Sequence, residues 1–251
     1  MKHVGEEQAL TVRIATHEKF AKYEVNDWIL ENLKLMEGEK ILDVGCGSGK
    51  QLIPFAKLVG KDGLAYGVDA SEEILKKVMH AARREGASIK VKQCRMEELA
   101  ECFGKKKQFD AIASSFAIYY SKNIDKTVSD IRSLLKDGGR VFVCGPTAGN
   151  NKELAELHAK VAPLPDKFFE HVEFMANTAL PTFRKRFKNV KTSIFKNPVV
   201  FPNKQALLDY WNSYTLFNEK AKANFEALVD EYFSKRSRFT THKVVLGILA
   251  K

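Results

Sequence analysis

Between Lys40 and Cys144 short apolar runs alternate with amphipathic segments, and this rhythm constrains the fold more than any other property of the chain. Strand-like runs fall at 40–44, 64–69, 89–93, 109–114 and 140–144, with helical spacing of apolar residues over 50–60, 71–85, 96–103 and 123–136 between them. Strands joined by crossover helices lie parallel in one sheet, so the pattern predicts a doubly wound α/β fold with helices on both faces. Local chemistry sets several boundaries. Ser71 is a good N-cap, and Glu72 and Glu73 put negative charge at the positive end of the helix it starts. Asp137-Gly138-Gly139 can adopt positive φ and is expected to end the helix before the fifth strand.

The flanking segments read differently. Phe20, Val25, Trp28, Ile29 and Leu33 predict a single N-terminal helix over 18–36. After Pro146 the pattern predicts one or two helices over 150–176 interrupted by Pro163 and Pro165, then a helix near 178–187. A β-rich stretch 190–201, further helix over 203–235 and a final strand Lys243–Leu249 follow. More than half of the aromatic residues lie between Phe168 and Phe239. A chain of 251 residues suits one domain with insertions. The expectation is a single domain with its core at about 20–145, 178–201 and 240–251, and lid segments at about 146–176 and 203–238 whose aromatics pack or line a pocket.

Composition narrows the class. With 45% hydrophobic and 29% charged residues the chain should fold throughout, apart from its first few residues. No apolar run approaches the ~18–20 residues of a membrane span, and the first residues lack the apolar segment of a signal peptide, so a cytoplasmic location is expected. The four cysteines form no CxxC pair and no His cluster has zinc-ligand spacing; they read as reduced core thiols, and no metal is expected. The net charge of +10 favours an anionic partner. Lys105-Lys106-Lys107, Arg184-Lys185-Arg186 with Lys188 and Lys191, and Lys235-Arg236 with Arg238 read as solvated faces in preference to a nucleic-acid track.

Chemistry concentrates in Ile41-Leu42-Asp43-Val44-Gly45-Cys46-Gly47-Ser48-Gly49, which passes from an apolar strand directly into a helix. Alternating glycines allow a tight turn and bring a nucleotide-like ligand against the main chain. A pyrophosphate needs a helix N-terminus free of negative charge, and Asp43 stands two residues before the first glycine. The GxGxG spacing and Asp43 instead suit a ligand carrying sulfonium and ammonium groups, S-adenosylmethionine. Asp69 ends the second strand, where a doubly wound sheet opens its ligand crevice, and its carboxylate can accept both ribose hydroxyls.

Taken together, Asp43-Val-Gly-Cys-Gly-Ser-Gly49, Gly67-Val-Asp69, Phe109-Asp110 and Leu135-Lys-Asp-Gly-Gly139 resemble the ordered motifs of class I, Rossmann-like methyltransferases, especially the small-molecule group of ubiquinone and menaquinone biosynthesis. The resemblance covers about residues 20–145. It implies a seven-stranded, mostly parallel sheet with an antiparallel last strand, Lys243–Leu249, set beside 190–201, and a helical lid around the sixth strand. It implies that Gly45, Cys46, Gly47 and Gly49 hold the methionine part of the cofactor and that Asp69, with Ala70, holds the ribose. Backbone carbonyls near Ser114 and Ser115 would bind the amino group, and Tyr23 the carboxylate. Arg95 stands where relatives often carry an acid for the adenine amino group. An Arg side chain cannot accept a hydrogen bond, so adenine recognition is expected to rest on Met96 or Glu97.

Methyl transfer asks a protein mainly to align the nucleophile and exclude water. A hydroxyl acceptor also needs a proton acceptor, and His17, Tyr119, Tyr120, His158 and His171 are candidates marked by no motif. Three readings follow. The first is a small-molecule methyltransferase. The second is an RNA methyltransferase using the basic surface, and the third a catalytically inert cofactor-binding scaffold. Acceptor, methylated atom and oligomeric state do not follow from the sequence.

Overall fold

A computed structural model describes residues 6–104 and 106–251, with the side chains of Glu6 and Glu7 excepted. The first residues of the chain and Lys105 of the lysine run lie outside the described residues. Seven strands form one sheet: β1 (Lys40–Val44), β2 (Leu64–Asp69), β3 (Ile89–Gln93), β4 (Phe109–Ser115), β5 (Leu135–Pro146), β6 (Val190–Phe201) and β7 (Phe239–Ala250). Their hydrogen-bonded order is β3-β2-β1-β4-β5-β7-β6. The pairs β1–β2, β2–β3, β1–β4 and β4–β5 are parallel. Asn189 and Lys251, flanking β6 and β7, exchange both backbone hydrogen bonds, as antiparallel neighbours do. This is the expected α/β class, with strand order reversing between β1 and β4.

The chain divides into two compact units. One comprises Val25–Gly145, Phe174–Ile194 and Leu246–Lys251. It holds α2 (Val25–Leu33), α3 (Leu52–Val59), α4 (Glu72–Arg84), α5 (Leu99–Phe103) and α6 (Ile124–Leu134), which alternate with β1 to β5. Its core is built from Leu42, Val44, Val68, Ile112, Val128, Ile131, Val141 and Phe183. The other comprises the described residues up to Glu24, with Pro146–Glu173 and Phe195–Val245. It contains α1 (Glu6–Phe20), α7 (Lys152–His158), most of α8 (Asp166–Phe174), α10 (Lys204–Asn212) and α11 (Lys222–Lys235). Its interior is aromatic: Trp211 stacks on Phe225 at 4.2 Å, and Tyr210 on Tyr214 at 5.6 Å. Among the described residues no helix is long and apolar enough to cross a membrane.

Four details depart from the sequence expectations, each for a physical reason. The N-terminal helix is two helices, α1 and α2. Between them Ala21 bridges Val199, and Asn197 accepts from the Lys22 and Tyr23 amides. The segment 178–187 is not separate, because five π-helical residues, Met175–Ala179, join α8 to α9 (Leu180–Arg186). That wider turn directly precedes Pro181, which lacks an N–H and cannot continue an ordinary ladder. Third, α6 ends at Leu134, before Asp137-Gly138-Gly139, because Leu135 already pairs with Phe109; the register shift between Phe109 and Ala111 absorbs the glycines. Finally, Cys94 and Cys102 form a disulfide, whereas Cys46 and Cys144 are buried free thiols. The sequence spacing gave no sign of this, since only the sharp turn from β3 into α5 brings the two Cα atoms within 6.4 Å.

Candidate cofactor site

The C-terminal ends of β1, β2 and β4 carry Asp43, Asp69, Ser114 and Ser115 of the expected site residues. Asp43 and Val44 lie in register with Gly67 and Val68 of β2, and Asp43 pairs with Ala113 of β4. Ser115, two residues beyond Ala113, therefore projects to the same sheet face as Asp43. Both carry a buried side-chain oxygen without a hydrogen-bond partner, Asp43 Oδ2 and Ser115 Oγ. Desolvation, reinforced by the charge of Asp69, pushes the Asp43 carboxyl up to about 7. A buried carboxylate in this state lacks a cation or a donor.

The glycine loop is shaped by close packing. Gly45 and Gly49 have φ of 74° and 83°; a Cβ would stand 2.5 Å from Ala117 Cβ at the first and 2.1 Å from Val78 Cγ2 at the second. Gly47 differs: its φ is 50°, and a Cβ would meet nothing within 4 Å, leaving space over the loop. The loop amides are already used. Gly45 and Cys46 donate to the Val68 carbonyl at 2.8 and 2.9 Å, Gly49 donates to the Cys46 carbonyl at 2.9 Å, and Gly47 donates to Asp69 Oδ2 at 3.1 Å. A phosphate cradle offers its amides to the ligand, and these four face protein acceptors instead. Burial, then the charges of Asp43 and Asp69, hold the Cys46 thiol far above its usual range, so it is a packing group beside Gly67.

Asp69 ends β2, with Ala70 exposed next to it. Its Oδ1 accepts from the Ser71 amide at 3.0 Å, while Ser71 caps α4 by accepting from the Ile74 amide. Each carboxylate oxygen keeps a second lone pair. Beyond β3, Met96 places its Cε 3.9 Å from the Cβ position of Gly45, so it borders the loop. Glu97 is largely committed to structure: it accepts from the Lys122 amide, and its own carbonyl accepts from Lys126 Nζ. Although desolvation raises its pKa, the Lys122 hydrogen bond and others outweigh it and hold the carboxyl below the usual range. Arg95 is half-exposed, with Nε 3.8 Å from Glu97. Ser114 is fully buried and donates to the Val44 carbonyl at 2.9 Å, tying β4 to β1.

Tyr119 and Tyr120 follow β4 in a 3-10 turn, Ile118–Tyr120, with ring centroids 4.6 Å apart. Tyr120 is exposed, and Tyr119 lies against Gly145. Phe116 just before them has φ of 55° and donates its amide to the Cys144 carbonyl. No sequence signal marks such a residue, because non-glycine positive φ is uncommon. Tyr23 and His17 belong to the other unit. Tyr23 is exposed, its main chain held by Asn197, and His17 Nε2 lies 3.3 Å from the Tyr210 hydroxyl. His158 is fully buried, accepts from Trp211 Nε1 at 3.2 Å and packs on Phe225; burial lowers its pKa, and it acts as a core residue. Burial lowers the pKa of His171 too, aided by Lys167 and Arg13. No metal-binding cluster occurs among the described residues.

The glycine loop, the strand-end acid and the order reversal define a class I, Rossmann-like nucleotide-binding fold. The family model described as a methyltransferase domain matches residues 35–213, well over half of the chain, and the chain belongs to that family, whose cofactor is S-adenosylmethionine. It is 34% identical over 110 residues to demethylmenaquinone methyltransferase of Symbiobacterium thermophilum, covering 43% of this chain and 42% of that protein. It is 33% identical over 113 residues to arsenite methyltransferase of Aquipseudomonas alcaligenes, covering 43% and 33%. The fold resembles a crystal structure of an S-adenosylmethionine-dependent methyltransferase from Aquifex aeolicus, with a TM-score of 0.57 at 14% identity over 98% of both chains. The matched regions span between 33% and 60% of the length of these and similar curated relatives.

The site residues fit the cofactor. Asp43 supplies a buried carboxyl with one unpartnered oxygen, Asp69 a carboxylate at the end of β2 hydrogen-bonded to the loop, and Gly47 open space beside its backbone.

Proposed function

We propose that this chain is a methyltransferase that transfers the methyl group of S-adenosylmethionine to a small-molecule acceptor, and that it acts in the cytoplasm. The observation that carries the reading is the pairing of Asp43, with its unpartnered buried oxygen, and a glycine loop whose amides face protein acceptors. That combination suits a cationic amino-acid end and disfavours a pyrophosphate. When bound, the cofactor supplies an electrophilic methyl group on a sulfonium.

The chain's own contribution is position and polarity. Gly45, Cys46, Gly47 and Gly49 shape the loop for the methionine part; Asp43 and the carbonyls near Ser114 and Ser115 hold its ammonium. Asp69, with Ala70, holds the ribose, and Met96 gives an apolar edge for the adenine. Glu97 is engaged through its carboxylate by Lys122 and through its carbonyl by Lys126, so Met96 is the proposed main adenine contact and Glu97 the second. Tyr23 is the proposed partner of the cofactor carboxylate. His17, Tyr119 and Tyr120 are the proposed groups for taking the proton of a hydroxyl acceptor. The segments 146–176 and 203–238 are the proposed lid of a single-domain enzyme and the source of its acceptor specificity. Demethylmenaquinone and arsenite, the acceptors named for the relatives, are the ones to try first.

The test is calorimetric titration with S-adenosylmethionine, S-adenosylhomocysteine and NAD, followed by an acceptor screen read as S-adenosylhomocysteine release. Micromolar binding of the sulfur ligands without NAD binding is the expected result. Preference for NAD overturns the reading, whereas binding with no turnover on any acceptor favours an inert scaffold.

A further inference from the structure

The turn that follows β3 is closed on itself by a covalent bond. Cys94 is the first residue after β3, and its amide donates to the Asp69 carbonyl at 3.0 Å. Cys102 lies in the last turn of α5, and the Cys94–Cys102 disulfide encloses Arg95–Glu101. Inside this ring stand Met96, which borders Gly45, and Glu97, which braces Lys122. The ring therefore begins beside the Asp69 backbone, and Met96 within it borders the glycine loop.

Apart from Leu99, which is fully buried in the core, and Ala100 beside it, the residues the ring encloses are partly or largely exposed and are held by a few polar contacts. Lys126 Nζ holds the Glu97 carbonyl and reaches Glu101 at 3.3 Å, and Asp130 accepts from the Ala100 amide at 3.1 Å. The 3-10 turn Met96–Glu98 and the five-residue α5 are too short to be stable by themselves. The disulfide shortens the conformational search of this segment, and without it the ordered form competes with many open ones.

We propose that Cys94 and Cys102 form a reversible redox site, and that the disulfide sets affinity for S-adenosylmethionine by ordering the segment Arg95–Glu101. The inference rests on the methyltransferase reading above. Cys94 is 5% exposed and Cys102 half-buried, so an external thiol reaches Cys102 first. A glutathione-class thiolate attacks Cys102 Sγ, the S–S bond breaks, and Cys94 Sγ leaves as a thiolate and takes up a proton. A second thiolate then attacks the glutathione sulfur of this mixed disulfide, forming oxidised glutathione and releasing Cys102 Sγ as a thiolate that takes up a proton. The balance is two thiols oxidised to one low-molecular-weight disulfide, with two electrons and two protons passed to the protein. The reverse exchange with oxidised glutathione restores the ring. Where only about a tenth of reduced molecules hold the ordered segment, the apparent dissociation constant rises about tenfold.

The experiment is a redox titration of the whole wild-type protein in glutathione buffers from fully oxidised to fully reduced. Denatured samples are alkylated and weighed to count thiols, and S-adenosylhomocysteine affinity is measured calorimetrically at each point. The expected result is a passage from two alkylated thiols, Cys46 and Cys144, to four, with affinity falling about tenfold at the same midpoint. Cys94→Ser/Cys102→Ser should show the weaker affinity in every buffer. Four thiols in the oxidised buffer, or one affinity across a complete change from two to four, overturns the inference while leaving the methyltransferase reading intact. Absence of binding at every point, with the thiol count still switching, removes both.

Discussion

Gly47 and Asp69, twenty-two residues apart, are joined by a 3.1 Å hydrogen bond from the loop amide to the carboxylate at the end of β2. One carboxylate thus fixes the glycine loop and is the proposed holder of the ribose, so its removal has two separable effects. Asp69→Ala should weaken S-adenosylhomocysteine binding about 100-fold, the loss of ~1.5 kcal/mol for each of two hydrogen bonds to a charged group. Asp69→Asn keeps one acceptor oxygen and should fall between. If calorimetry finds the alanine variant binding like the wild type, the ribose lies elsewhere.

The glycines should separate packing from binding. Gly49→Ala drives a methyl into Val78 at a positive φ, and a loss of ~2–4 kcal/mol in urea unfolding is expected. Gly47→Ala meets open space, so only the left-handed backbone strain of ~1–2 kcal/mol remains. Its methyl nevertheless occupies the proposed cofactor volume. A small loss of stability with a large loss of S-adenosylhomocysteine affinity is therefore expected of Gly47→Ala.

Asp43 makes a pH prediction whose sign is opposite to that of an ordinary paired carboxylate. Desolvation, with the charge of Asp69 behind it, raises its pKa from 3.8 to about 7 in the folded protein. Between those values the native state holds a proton that the unfolded chain has lost, so the contribution of Asp43 to stability falls as pH rises from about 4 to 7 and is level above. Thermal melts of Asp43→Asn should lack this component. Binding a cationic ligand at pH 6 should ionise Asp43 and release a proton, seen as a dependence of calorimetric heat on buffer ionisation enthalpy. Proton uptake, or none, would place the ammonium away from Asp43.

The sequence reads well where a single residue type has a single local consequence. β2 begins and ends where predicted because Gly63 precedes it and Asp69-Ala70-Ser71 turns directly into a capped helix. The same reasoning fails where distant residues intervene: the break at 21–24 depends on Asn197 and Val199, and the early start of β5 on Phe109. At the site, the motifs name Asp43, Gly47 and Asp69. They do not show that Val68 and Asp69 consume the loop amides, that Glu97 is tied to Lys122, or that two cysteines eight residues apart meet. Those facts belong to three-dimensional neighbours that no spacing rule contains.

Arg140 and Glu39 form a pair about nine-tenths removed from solvent, with Nη1–Oε1 at 2.8 Å and Nη2–Oε2 at 2.7 Å. Arg140 also donates to the carbonyls of Leu33 and Lys34, closing the end of α2 onto β5 within the larger unit. Burial raises the pKa of Glu39, but the Arg140 hydrogen bond and charge and the Met36 amide prevail and hold it below the usual range. Its contribution to stability is present above its unfolded pKa and is lost as pH falls through the lower, folded value. Arg140→Met leaves the buried Glu39 carboxylate without its counter-charge, with only the Met36 amide beside it, and takes the guanidinium donor from two carbonyls, so ~3–5 kcal/mol of destabilisation at neutral pH is expected. Adding Glu39→Leu removes the stranded charge and should restore part of that loss. A double-mutant cycle by urea unfolding measures it, and strict additivity of the two substitutions would show that the pair does not act as a unit.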